Sequence, residues 1–162
     1  MIPIFISKQS GQPKFLLGPH FFILIPTWII SVLILAYILN SIWGRTYPPL
    51  FVISAASGFI FLYLYAKVGL SNPGIPFVTD EPDLITRSQE RYCTPCKIVR
   101  PKGTRHCYYC DICIHGFDHH CPWVGKCIGK DNLCVFYEFL MSVSVMITLL
   151  LITTLSMDTS KK

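Results

Sequence analysis

This sequence is poor in charge. Asp, Glu, Lys and Arg together make up 14% of its 162 residues, against 52% hydrophobic, and the mean hydropathy is +0.49. So low a charged fraction, with the apolar residues gathered in blocks instead of spaced periodically, excludes an ordinary soluble domain and points to a membrane protein. The first 19 residues contain Lys8 and Lys14 but no acidic residue. They lack the order of a cleaved signal, because the apolar block that follows is too long and no small-residue cleavage site succeeds it. No internal repeat is evident beyond the Cys-x2-Cys units, and no low-complexity tract. Large aliphatic residues are few between Cys93 and Cys127, so that stretch is too short and too polar to build a core unaided.

What is present falls into alternating apolar and polar segments. Residues 1–20 read as a cytosolic N-terminal segment and 21–43, uncharged throughout, as a first transmembrane helix with Pro26 near its entrance. A lumenal turn over 44–49 leads to a second span, 50–70, with Lys67 snorkelling at its end. Turn residues at 71–74 open a cytosolic linker over 71–92. A cysteine-rich region over 93–132 precedes an interfacial turn and third span over 133–156, and 157–162 is a polar tail. Eight Lys/Arg between positions 87 and 130, against Arg45 alone in the first turn, place the cysteine-rich region and the N-terminus in the cytosol. Three spans then put Lys161 and Lys162 on the far side, so either the last span is incomplete or the chain is a shortened form of something longer. The expected fold is therefore a mainly α, multi-pass integral membrane protein whose cytosolic zinc domain is built of short β-hairpins.

Seven of the eight cysteines lie between positions 93 and 127, interleaved with His106, His115, His119 and His120. Cys-x2-Cys spacing with interleaved histidines favours zinc in a reducing compartment over a secreted disulfide scaffold. Two chelates are plain, Cys93/Cys96 and Cys107/Cys110, and Cys113, Cys127, His106 and His120 remain to complete them. Six thiolates and two imidazoles divide into two closed, structural Cys3His sites without Cys121. His106 and Cys107 are adjacent and project to opposite sides of extended backbone. That favours Cys93, Cys96, His106 and Cys113 on one zinc and Cys107, Cys110, His120 and Cys127 on the other, although spacing alone leaves other pairings open. His115 is expected at the surface. Eight basic and three acidic residues from 87 to 130, two Zn2+ and six thiolates leave the module formally +3. Its basic face, with Arg100, Lys102 and Arg105 as candidates, suits lipid headgroups or the phosphates of a cofactor; the same side chains also offset thiolate charge. Nucleic acid, the rival partner of a basic zinc protein, is disfavoured by the flanking spans.

With those ligands assigned, Asp118, His119 and Cys121 are left within four residues. Residues two apart on a strand share a side, so His119 can face Cys121 while His120 turns to the metal. A free thiol of pKa about 8.5 is mostly protonated at neutral pH, and a neighbouring imidazole activates it. Asp118 either orients His119 as the third member of a triad or supports zinc-bound His120. Cys121 as a spare ligand or an inert thiol is the competing structural role.

The run Cys93-x2-Cys96, Arg100-Pro101, Arg105-His106-Cys107-x2-Cys110-x2-Cys113, Asp118-His119-His120-Cys121-Pro122-Trp123, Cys127-x-Gly129-x2-Asn132-x3-Phe136 resembles the DHHC cysteine-rich domain of protein S-acyltransferases (palmitoyltransferases). It covers about a quarter of the chain. Asn72-Pro73-Gly74 resembles the family's Asp-Pro-Gly motif, and Gly125-Lys126 stands where the family usually has an Asn pair. The resemblance implies that Cys121 takes a fatty acyl group from palmitoyl-CoA or another long-chain acyl-CoA and passes it to cytosolic cysteines of membrane-associated proteins. His119 would act as base, Asp118 would orient it, and two structural zincs would shape the site. It further implies an ER or Golgi membrane, a homo- or hetero-oligomer, and a fourth span and C-terminal tail that this sequence lacks. Cys134 is a candidate for accessory acylation. The alternatives are a catalytically impaired, shortened isoform acting as a membrane-anchored zinc-binding or regulatory module, and a ubiquitin-ligase-like zinc adaptor.

Overall fold

In the computed structural model the described residues are 2–6, 13–76 and 92–159. Most of the predicted linker (77–91, with Arg87, Glu90 and Arg91), Lys8 and positions 160–162 of the predicted tail lie outside them.

The uncharged block forms helix α1, Phe21–Ile42, which stops where Gly44 takes a left-handed φ of +68° and Arg45 N–H donates to the Ile42 carbonyl. Helix α2, Pro48–Leu70, starts on a proline, tolerated there because the first amides of a helix have no intrahelical partner. Helix α3, Leu133–Thr159, runs without interruption. All three are long and apolar enough to cross a membrane.

The chain divides into two units, Ile25–Val68 with Val135–Lys162 and Met1–Leu24 with Gly69–Cys134. The first is helical. Leu35 packs where a Cβ on Gly58 would stand, Trp28 Nε1–H donates to the Leu62 carbonyl (3.1 Å), and Phe139 stacks on Tyr65 with ring centroids 5.1 Å apart. The buried hydroxyls of Ser54 and Thr153 satisfy one another at 3.2 Å, as polar groups in apolar surroundings must. Lys67, expected to snorkel, lies 3.5 Å from Glu138.

The second unit is built of antiparallel strand pairs. Strands β1 (Ile2–Ile6) and β2 (Pro13–Leu17) form an N-terminal hairpin that the sequence reading did not foresee. Three more hairpins follow: β3 (Tyr92–Cys93) with β4 (Ile98–Val99), β5 (Thr104–Cys107) with β6 (Ile112–His115), and β7 (His119–Cys121) with β8 (Lys126–Ile128). Hairpins this short are marginal in isolation. Their buried interior is small and made largely of cysteine: Cys93, Ile98 and Cys113 in one cluster, Cys107, Cys110, Ile114 and Cys127 in another.

Two asparagines fix the backbone at the two ends of this region. Asn72 Oδ1 accepts the N–H groups of Gly74 (2.9 Å) and Ile75 (3.2 Å), an Asx turn for which Asn serves as well as Asp because only the acceptor oxygen is used. The Gly74 carbonyl then accepts His115 N–H at 2.8 Å. Asn132, fully buried just before α3, accepts Gly129 N–H (2.8 Å) and donates to the Cys127 carbonyl (3.1 Å). Asn132→Ala leaves both backbone groups unsatisfied, at a cost of about 1–3 kcal/mol. Zinc should therefore be lost at a lower chelator concentration than in the wild type, and unchanged chelator resistance would show the two bonds to be dispensable.

Candidate functional site

Each hairpin supplies ligands in a fixed pattern. Cys93 and Cys96 flank the β3–β4 turn, and His106 and Cys113 face each other across β5–β6; their ligand atoms lie within 4.8 Å of one another. Cys107 and Cys110 at the β5–β6 turn meet His120 and Cys127, paired across β7–β8, in a second group within the same limit. The geometry thus gathers the eight residues in the interleaved order, with Cys121 in neither group. The two quartets have identical spacing, since each member of the second stands 14 positions after its counterpart (93 to 107, 96 to 110, 106 to 120, 113 to 127). The register repeats too: His106↔Cys113 becomes His120↔Cys127, and Cys93↔Ile98 becomes Cys107↔Ile112. This repeat was present in the sequence and escapes a comparison of the Cys-x2-Cys units alone; shifting the whole ligand set reveals it.

Both histidines turn Nδ1 toward the thiols. In His106 it lies 3.5 Å from Cys93 Sγ and 3.3 Å from Cys96 Sγ, and in His120 it lies 3.4 Å from Cys110 Sγ and 3.7 Å from Cys107 and Cys127 Sγ. The ring proton then sits on Nε2 and needs an acceptor. For His106 that is Asp111 Oδ1 at 3.4 Å. For His120 it is His20 Nδ1 at 2.9 Å, a hundred residues away, and not Asp118. Burial, followed by the neighbouring His20 and His119, lowers the His120 pKa and keeps the ring in the neutral form a metal takes. The thiols compete for charge. Cys110 is brought down to about 7, chiefly by its side-chain hydrogen bond with Cys127, and the same bond pushes Cys127 up. Burial pushes Cys113 up. Three thiols and an imidazole converging on one point, unable all to ionise by themselves, are the donor set that a tetrahedral Zn2+ satisfies.

Strand β7 carries the remaining chemistry. Alternation puts His119 and Cys121 on one side of it and His120 on the other. His119 Nδ1–H donates to Asp118 Oδ2 at 3.0 Å, which leaves Nε2 as the ring's acceptor. Both of these side chains are about half exposed, whereas Cys121 is 8% exposed and is a free thiol.

Several expectations need correction. His115, expected at the surface, is half-buried, and its Nδ1 lies 3.3 Å from Thr104 Oγ1. Lys126, counted among the eight basic residues from 87 to 130, is wholly buried; its Nζ donates to the carbonyls of Leu16 and of Ser71 (2.9 Å). Burial brings its pKa down to about 7, against the pull of Cys110 and Cys127. Of the basic candidates, Arg100 is half-buried while Lys102 and Arg105 are exposed. Cys134 is exposed. Sequence reading missed His20 and the burial of Lys126 because their partners are 100 and 110 positions distant.

Comparison with known proteins finds sequence relatives of this part of the chain. Residues 86–161 match the DHHC palmitoyltransferase family model. The chain is 40% identical over 91 residues to palmitoyltransferase ZDHHC9 of Pongo abelii, which covers 52% of this chain and 25% of that protein. It is 57% identical over 54 residues to palmitoyltransferase ZDHHC18-B of Danio rerio (33% and 14%) and 54% identical over 56 residues to ZDHHC9 of Homo sapiens (35% and 15%). The matched part thus spans a quarter or less of each of these relatives.

Proposed function

We propose, from the match of residues 86–161 to the DHHC palmitoyltransferase family model, that the chain is a protein S-acyltransferase working through an acyl-Cys121 intermediate. The observation that carries this reading is the Asp118–His119 hydrogen bond on the strand that presents Cys121 to the same side, with that thiol outside both ligand groups. In the first half-reaction the Cys121 sulfur attacks the thioester carbonyl of a long-chain acyl-CoA such as palmitoyl-CoA. His119 Nε2 takes the thiol proton and returns it to the departing CoA thiolate. In the second, the thiol of a protein cysteine gives its proton to His119 and attacks acyl-Cys121. The acyl group moves on, and the proton returns to Cys121. Asp118 holds the tautomer in which Nε2 is the ring's acceptor atom.

Zinc, bound by the two quartets, would hold the hairpins and take no part in the transfer, because four protein ligands leave no open position. The partners of this reading are the bilayer, acyl-CoA, whose phosphates suit Arg100, Lys102 and Arg105, and membrane-associated proteins with cytosolic cysteines. The excess of basic residues near the spans supports a cytosolic position for the site, on an endomembrane such as ER or Golgi. At about 0.8 kcal/mol per CH2, a sixteen-carbon chain is best housed among membrane spans. Incubating the purified chain with labelled palmitoyl-CoA should yield a hydroxylamine-sensitive adduct that Cys121→Ser removes while two zincs per chain are kept. Two zincs with no adduct on the wild-type chain would leave an anchored zinc module and defeat the enzymatic reading.

A further inference from the structure

The 14-residue repeat does not end with the second quartet. One more shift carries Cys107 to Cys121, Asp111 to Gly125 and Ile112 to Lys126. The backbone follows. Lys97, Asp111 and Gly125 all take left-handed φ (55°, 52° and 77°), and Cys121 pairs with Lys126 as Cys107 does with Ile112. The loop that carries Cys121 is therefore a third knuckle. It lacks the second cysteine, whose place is taken by buried Val124, so no Cys-x2-Cys chelate closes it.

The segment just before α1 lies where that closure is needed. Lys126, standing where the earlier knuckles have isoleucine, sends its ammonium to the carbonyls of Leu16 and Ser71. His20 N–H donates to the Gly125 carbonyl at 3.2 Å, and the His20 ring accepts the Nε2 proton of His120 at 2.9 Å. Gly18 is so close that a Cβ there would overlap the Gly125 carbonyl. A lysine buried completely persists only where its donors find acceptors, and these acceptors come from outside the cysteine-rich region.

We propose that residues 16–20 close the third knuckle as zinc would close the first two, with Lys126 and His20 as the positioning residues that hold Cys121 in register with His119. The functional readout rests on the acyl-transfer reading; the closure itself can be measured apart from it.

The test uses the full chain in detergent, with labelled palmitoyl-CoA, iodoacetamide and a zinc chelator as probes. Lys126→Met keeps the length of the side chain and removes its donors. Two zincs should remain, the adduct should form roughly 10- to 100-fold more slowly at saturating palmitoyl-CoA with the half-saturating concentration unchanged, and Cys121 should alkylate faster. His20→Ala should weaken the second zinc site by roughly 10- to 100-fold in chelator competition, and His20→Gln, whose side-chain oxygen still accepts the His120 proton, should restore it. Wild-type adduct formation, alkylation and chelator resistance in both Lys126→Met and His20→Ala would overturn the proposal. Loss of zinc from Lys126→Met would also overturn it, by reducing the lysine to a folding role. A wild-type chain that forms no adduct would count against the acyl-transfer reading alone, and the alkylation and chelator arms would still decide the clamp.

Discussion

Cys127→Ser should cut bound zinc from two ions per chain to one and abolish the acyl adduct. Cys127 is fully buried, 3.3 Å from Cys110 Sγ, and it stands opposite His120 across β7–β8, the hairpin that also carries Cys121. Structural zinc contributes about 10–16 kcal/mol to the folding of small metal domains, as much as the whole stability of an ordinary domain. The cysteine-rich hairpins have little buried surface besides their cysteines, so losing one quartet costs more than packing can replace. Metal analysis beside limited proteolysis checks this. Cys121→Ser and Cys134→Ser serve as controls, because neither residue belongs to a quartet and both variants should keep two zincs. Two zincs in Cys127→Ser would contradict the assignment of that site.

His119→Ala should lower the rate of adduct formation by about 10²- to 10⁴-fold with both zincs in place, the range over which a positioned general base acts. His119 is on the strand that ends in Cys121, but its ring contributes to neither quartet, so its loss touches chemistry and leaves the scaffold intact. Asp118→Asn should move the rate the same way. Its carboxylate now accepts the Nδ1 proton at 3.0 Å, whereas an amide nitrogen at that point would favour the opposite tautomer and block Nε2. Single-turnover kinetics with labelled palmitoyl-CoA measures both variants. Undiminished adduct formation in His119→Ala would remove the base from the mechanism, and zinc loss in either variant would reassign these residues to the scaffold.

The site was legible to different depths. Cys-x2-Cys pairs and uncharged runs of about twenty residues are local signals: a chelate needs ligands a few positions apart, and a span needs unbroken apolar length. Alternation along a strand was enough to separate His119 and Cys121 from His120. The role of Asp118 was not legible, because a carboxylate beside two consecutive histidines can serve either ring. In the structure Asp118 meets His119, and the Nε2 of His120 meets His20.

From the sequence by itself came the three apolar segments and the candidate ligands, consequences of hydropathy and spacing along one stretch of chain, while the pairing that leaves Cys121 aside was one of several that spacing allowed. Only the tertiary structure decided that Lys126 is interior and that residues 16–20 reach the loop holding Cys121. Whether an ammonium group can leave water depends on which carbonyls meet it, and here one of them arrives from 110 positions away.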